Sequence, residues 1–124
     1  MATIRHIALY TDDADRMAKF YTEVFELKET HRMDRTPTSG RTIFLSDGYM
    51  LVAIIEPRHD KFRGLHHFGF TLEGGEEEHA KIMARLKERD VKIVTPPADR
   101  PYVEDAVWDV DGNKFDVSTT GLRT

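Results

Sequence analysis

Ile4-Arg5-His6-Ile7-Ala8-Leu9 returns 61 residues later as Leu65-His66-His67-Phe68-Gly69-Phe70. Both stretches read apolar, any residue, histidine, apolar, small, apolar. Each is short and alternating, so each is expected to be a β-strand. Working outward, both are followed by a helical period. The first runs from about Asp13 to Glu26, with Thr11 and Asp12 as favourable start residues and Met17, Phe20, Tyr21 and Val24 on one face. The second runs from about Glu76 to Asp90 after Gly74-Gly75, with Ile82, Met83 and Leu86 repeating the pattern. It opens on Glu76, Glu77 and Glu78 and closes on Arg85, Lys87 and Arg89, the charge order that suits a helix dipole.

The ends of the halves correspond too. Ile43-Phe44 matches Val107-Trp108, and Asp47-Gly48 matches Asp111-Gly112, each 64 residues apart. Asp-Gly between apolar runs signals a hairpin turn. Strand-like runs follow at Tyr49 to Ile55 and Lys114 to Ser118, and earlier ones lie at Leu27 to Met33 and Val91 to Val94. Each half therefore reads β-α-β-β-β, and the fold class expected is α+β, two βαβββ modules whose sheets curl into a cup. A single domain over 1–124 is expected, with module 1 at about 1–58 and module 2 at about 64–120.

A sheet covered by one helix has one apolar face and one open face. Ile7, Leu9, Phe68, Phe70, Phe115 and Val117 suit the helix side. The opposite parity then carries His6 and Ala8, His67 and Gly69, and Lys114, Asp116 and Ser118. The same argument separates the adjacent histidines: His66 is in phase with Phe68 and Phe70, whereas His67 is in phase with His6.

Composition narrows the function classes. Of 124 residues, 40% are hydrophobic and 32% charged, an ordinary globular balance rather than a disordered one. There is no cysteine, which excludes disulfides, thiolate metal sites and a cysteine nucleophile. The longest apolar run, 50–55, is far short of the roughly 20 residues that span a bilayer. The first residues have no leader pattern, so a cytoplasmic protein without a membrane partner is expected. A net charge of −4 without a basic, aromatic-interleaved stripe argues against nucleic acid.

RHIALYTDDADRMAKFYTEVFELK (5–28), GLHHFGFTLE (64–73) and WDVDGNKFDVS (108–118) together resemble the vicinal oxygen chelate superfamily. That superfamily includes glyoxalase I, extradiol dioxygenases, and fosfomycin- and bleomycin-resistance proteins. The resemblance covers nearly the whole chain and implies a divalent metal held by His6, His67 and Asp116. Asp116 stands where the family usually has Glu. Two imidazoles and a carboxylate leave coordination positions open for vicinal substrate oxygens, and suit one Fe, Mn, Ni or Zn ion. The resemblance further implies a small-molecule substrate, a homodimer, and an enzyme of the lyase, isomerase or ring-cleaving dioxygenase (oxidoreductase) kind. The alternative is a metal-free, bleomycin-resistance-like binding protein.

Glyoxalases and epimerases of the family add a fourth ligand, a Glu in the strand ending the first module. Aligning the Asp-Gly turns puts Val52 there, and aligning the following proline puts Ala53 there. Glu56 has the parity of Val52 but lies four residues on, so it reaches the site only through a bulged or shifted strand. Glu56 and Tyr102 are the candidate proton-transfer groups, and Arg100 and Tyr49 the candidate substrate contacts.

Overall fold

The computed structural model describes residues 2–97 and 104–120. It is a mixed α+β structure in which β-α-β-β-β occurs twice: β1 (Ala2–Tyr10), α1 (Ala14–Phe25), β2 (Lys28–Met33), β3 (Thr42–Ser46) and β4 (Leu51–Ile55), then β5 (Gly64–Leu72), α2 (Gly75–Glu88), β6 (Ile93–Val94), β7 (Asp105–Trp108) and β8 (Lys114–Ser118). Two compact units are defined by their internal contacts. The first is His6–His66; the second is residues 67–120 together with 2–5. Among the described residues, no helix is long and apolar enough to cross a membrane.

In the first unit the strand order is β2-β3-β4-β1, with β1 parallel to β4 and the other pairs antiparallel. The parallel pairing of β1 and β4 requires a crossover, and α1 lies within it. Asp13 begins the helix, its carboxylate accepting the Arg16 N–H at 3.0 Å. Glu26 ends it in the left-handed region at φ 59°. The core under α1 is Ala14, Ala18, Ile43, Leu45 and Ile54, with Met17, Tyr21, Leu27 and Val52 packed around it.

That core corrects the helix face expected from periodicity. Met17 and Tyr21 do pack inward, but Phe20 and Val24 are 52% and 56% exposed. The buried stripe is 14-17-18-21, because two alanines let the α1 backbone approach the sheet closely and turn the next pair outward. The β3–β4 turn also trims a strand. The Asp47 carboxylate takes the N–H groups of Tyr49 (2.8 Å) and Met50 (2.7 Å), so pairing starts at Leu51 rather than Tyr49.

In the second unit the order is β5-β8-β7-β6, with β5 parallel to β8. Leu72, Val107, Phe115 and Val117 form its core, and Ile82, Met83 and Leu86 of α2 pack on it as their spacing suggests. Val91 joins that packing but lies outside β6, which holds only Ile93 and Val94. The β7–β8 turn is organised by Asp109, which the Asp-Gly signal does not reveal. Its Oδ1 accepts the N–H groups of Asp111 and Asn113, each at 2.9 Å.

The two possible α1 faces make different stability predictions. Ile43→Ala is expected to lower the unfolding free energy by about 2–4 kcal/mol. Phe20→Ala should cost less than about 1 kcal/mol. Urea titrations of the two variants provide the check; a larger loss at Phe20 would restore the face suggested by periodicity.

Candidate metal centre

The second unit fixes two of the expected ligands. Phe68 is in register with Phe115, and Gly69 with Asp116. Phe68 and Phe115 stack with centroids 5.8 Å apart, and Phe70 meets Phe115 edge-on at 5.5 Å. These rings pack with the core beneath α2. Alternation then sends His67 and Asp116 to the opposite face. There His67 Nε2 lies 3.1 Å from Asp116 Oδ2, with the side chains only 11% and 12% exposed.

This pair fits a metal ion. Two donors each about 2.1 Å from one ion, at right angles across it, stand about 3 Å apart. Imidazole nitrogen and carboxylate oxygen are both ordinary donors to first-row divalent ions. The same separation is a hydrogen-bond length, so a proton between the two atoms also satisfies the pair.

The adjacent His66 does something else. Its ring stacks on Tyr10 with centroids 3.9 Å apart, meets Phe62 edge-on, and lies 3.7 Å from Asp60 Oδ2.

In the first unit His6 is buried on β1, opposite Leu51 of β4. Ile7 and Leu9 are in register with Val52 and Ile54, which pack at α1, so His6 and Ala8 occupy the other face with Leu51 and Ala53. This register settles which residue corresponds to Asp116. Asp116 pairs with Gly69 of β5, whereas Ala53 pairs with Ala8 of β1, the repeat equivalent of Gly69. Ala53 is therefore the matching position, and Val52 belongs to the α1 core.

Glu56 lies just beyond β4 and acts as a brace within the first unit. Its Oε1 accepts from Arg35 Nε (2.8 Å) and the Arg41 N–H (3.1 Å), and its Oε2 from the Ala14 N–H and an Arg35 guanidinium nitrogen (both 2.8 Å). Burial pushes its carboxyl pKa up, but the Arg35 guanidinium and the two backbone donors outweigh this and hold it below the ordinary value of 4.5. No bulge or shift carries it toward the face of His6: β4 pairs regularly through Ile55, and the Glu56 N–H donates to the Arg41 carbonyl.

Tyr49 is half exposed in the β3–β4 turn, with its N–H on Asp47. Arg100 and Tyr102 lie outside the described residues.

Two features went unread in the sequence. His79 Nε2 sits 2.6 Å from Asp105 Oδ2, tying α2 to β7. Neither residue belongs to the repeat and they are 26 residues apart, so no local pattern marks them. The second is a cavity of about 330 Å³ in the second unit, whose wall includes Asp116 and Lys114. Its signal was present in the alternation that puts both residues on one face.

Known proteins add the following. The model of the Glyoxalase/Bleomycin resistance protein/Dioxygenase superfamily matches residues 3–117. Among solved structures, a hypothetical protein from Bacillus halodurans C-125 is similar with a TM-score of 0.75 and 16% identity, covering 99% of this chain and 98% of that one. A Streptomyces coelicolor methylmalonyl-CoA epimerase variant, in complex with 2-nitronate-propionyl-CoA, is similar with a TM-score of 0.70 and 18% identity over 98% of this chain and 97% of that one. A methylmalonyl-CoA epimerase from Mycobacterium tuberculosis gives a TM-score of 0.70 and 11% identity over 92% and 85%. At these identities the likeness is one of fold. No curated protein matches the sequence.

The brace role of Glu56 has a pH signature. A carboxyl whose folded pKa is depressed stabilises fully above its unfolded value, and that stability disappears as pH falls through the folded value. Glu56→Gln is expected to cost about 1–2 kcal/mol at pH 7, since Arg35 is half exposed and its share is screened. The gap between wild type and variant should narrow as pH drops below about 4.5. Urea unfolding at pH 7, 5 and 3.5 measures it; a gap unchanged with pH would show that the charge is not what stabilises the brace.

Proposed function

Because this chain belongs to the Glyoxalase/Bleomycin resistance protein/Dioxygenase superfamily, we propose that His6, His67 and Asp116 hold one divalent metal ion, and that the protein is an enzyme whose small substrate chelates that ion through vicinal oxygens. The observation that carries this reading is the withdrawn His67–Asp116 pair, with its donor atoms 3.1 Å apart. His6 supports it as the repeat equivalent of His67, buried and on the face of its own sheet away from α1.

An ion bound there stabilises negative charge on the chelated substrate oxygens. Everything else falls to the chain. His67 and Asp116 are fixed by the packing of Phe68, Phe115 and Val117 on the other side of β5 and β8. Their burial keeps most water off the two donors. Three protein donors leave room for two substrate oxygens, and Ala53 adds no fourth. Proton transfer next to a chelated oxygen, as in a lyase or isomerase, is the reaction class we favour, and the fold shared with methylmalonyl-CoA epimerases supports it. Iron, manganese, nickel and zinc all suit the donor set. We further propose that the protein works as a homodimer.

The hydrogen-bond length of the same pair favours a second reading, a metal-free protein that binds a small molecule. Metal analysis separates the two. Protein purified without a histidine tag and reconstituted with each of the four metals in turn is expected to retain about one equivalent per chain. His67→Ala and Asp116→Ala should weaken retention by more than about 100-fold while leaving the far-ultraviolet circular dichroism unchanged. No retention by wild type after reconstitution would overturn the metal reading in favour of the second.

A further inference from the structure

The open face of the second unit carries a cation as well as a carboxylate. Trp108 is in register with Lys114, and Ala106 with Asp116, so Lys114 stands one alternation from Asp116 on the same face. Two residues along a strand span about 7 Å. Lys114 and Asp116 both line the 330 Å³ cavity, with Val94, Pro96, Pro97 and Ala106 giving it hydrocarbon. Glu104 lines it too. Lys114 Nζ lies 5.9 Å from the Trp108 ring centroid, and Lys92 Nζ lies 4.5 Å from the same centroid.

Among the described residues neither ammonium has a carboxylate oxygen within 4 Å; their neighbour is the indole. Lys114 is thus the cation that lines this cavity, beside the carboxylates of Asp116 and Glu104, and its ammonium is held near the indole rather than in an ion pair with either of them. Under the metal reading the charges add in one direction. A divalent ion with two neutral imidazoles and one carboxylate keeps one net positive charge, and Lys114 supplies a second. A chelating oxyanion answers only the first.

We infer that Lys114 is a specificity-determining residue that binds a second anionic group of the substrate, a carboxylate or comparable oxyanion a few bonds from the chelating oxygens. The substrate class is then a small oxo- or hydroxy-acid with an additional anionic arm. This inference rests on the metal reading for the position of the chelating end, while the anion site belongs to Lys114 itself.

Trp108 is the chain's single tryptophan, so its emission reports directly on this wall. The probes are acetohydroxamic acid, a chelator without a second charge, succinic acid monohydroxamate, which adds a carboxylate arm, and phosphonoacetohydroxamate, which adds a phosphonate arm. With zinc-loaded protein, at least one charged probe is expected to bind about tenfold more tightly than acetohydroxamic acid, and comparing the two arms tells carboxylate from phosphonate. Lys114→Gln should abolish that preference, leaving zinc content and acetohydroxamic acid affinity unchanged, and Lys114→Arg should restore most of it. No preference in wild type, or one that survives Lys114→Gln, overturns the inference. If wild type takes up none of iron, manganese, nickel and zinc, the metal reading has failed, and succinate and phosphonoacetate titrated against metal-free protein decide the matter. Binding of either that is lost in Lys114→Gln sustains the anion site, and binding of neither overturns it.

Discussion

Phe115 packs beneath α2 with Leu72, Val107 and Val117, stacked on Phe68 and edge-on to Phe70. Because side chains alternate along a strand, that packing determines what the other face of β8 presents: Lys114 and Asp116, flanking Phe115. A slip of one residue would drive Asp116 against Ile82 and Met83, and an unpaired carboxylate among hydrocarbon costs several kcal/mol. The apolar face thus holds the polar face in register. His67 and Asp116 meet because the phenylalanines on the far side of the same two strands are locked together.

The first unit obeys the same constraint with different contents. Ile43, Leu45, Val52 and Ile54 turn toward α1, and His6, Ala8, Leu51 and Ala53 turn away. Its acidic and basic side chains are busy elsewhere. Glu56 clamps the start of α1 to Arg35 and Arg41, and Asp15 pairs with Arg41 and lies within 4 Å of Arg32 and Arg35. This network joins the helix start to the residues between β2 and β3, so the charge of the first unit serves its internal structure.

Features that alternation and repetition govern were legible in the sequence. The strands, the two helices, and the choice of His67 over His66 as the partner of Asp116 all follow from local period, and the two halves check each other. Features decided by long-range contact were not. Both 17-20-21-24 and 14-17-18-21 satisfy a helical period, and only the close approach at Ala14 and Ala18 chooses between them. Glu56 has a spacing from His6 close to that of Asp116 from His67, but its role depends on Arg35, 21 residues earlier, and on Ala14, 42 residues earlier. His79 and Asp105 meet across 26 residues with no repeat to announce them.

The equivalence of Ala53 and Asp116 says how the duplicated modules have diverged. On the face of β4 away from α1, the residues in phase are Leu51, Ala53 and Ile55, all hydrocarbon. The matching face of β8 holds Lys114, Asp116 and Ser118. The first module thus offers an imidazole set in an apolar surface, whereas the second offers an imidazole, a carboxylate and an ammonium. A low-polarity surface strengthens any charge brought near it, because fewer competing dipoles screen it. Position 53 supplies no group for proton transfer, so under the proposed function that group comes from elsewhere in the chain or from the substrate itself. An anionic arm held at Lys114, as proposed, fits this division, because the carboxylate and the ammonium both stand on β8 of the second module.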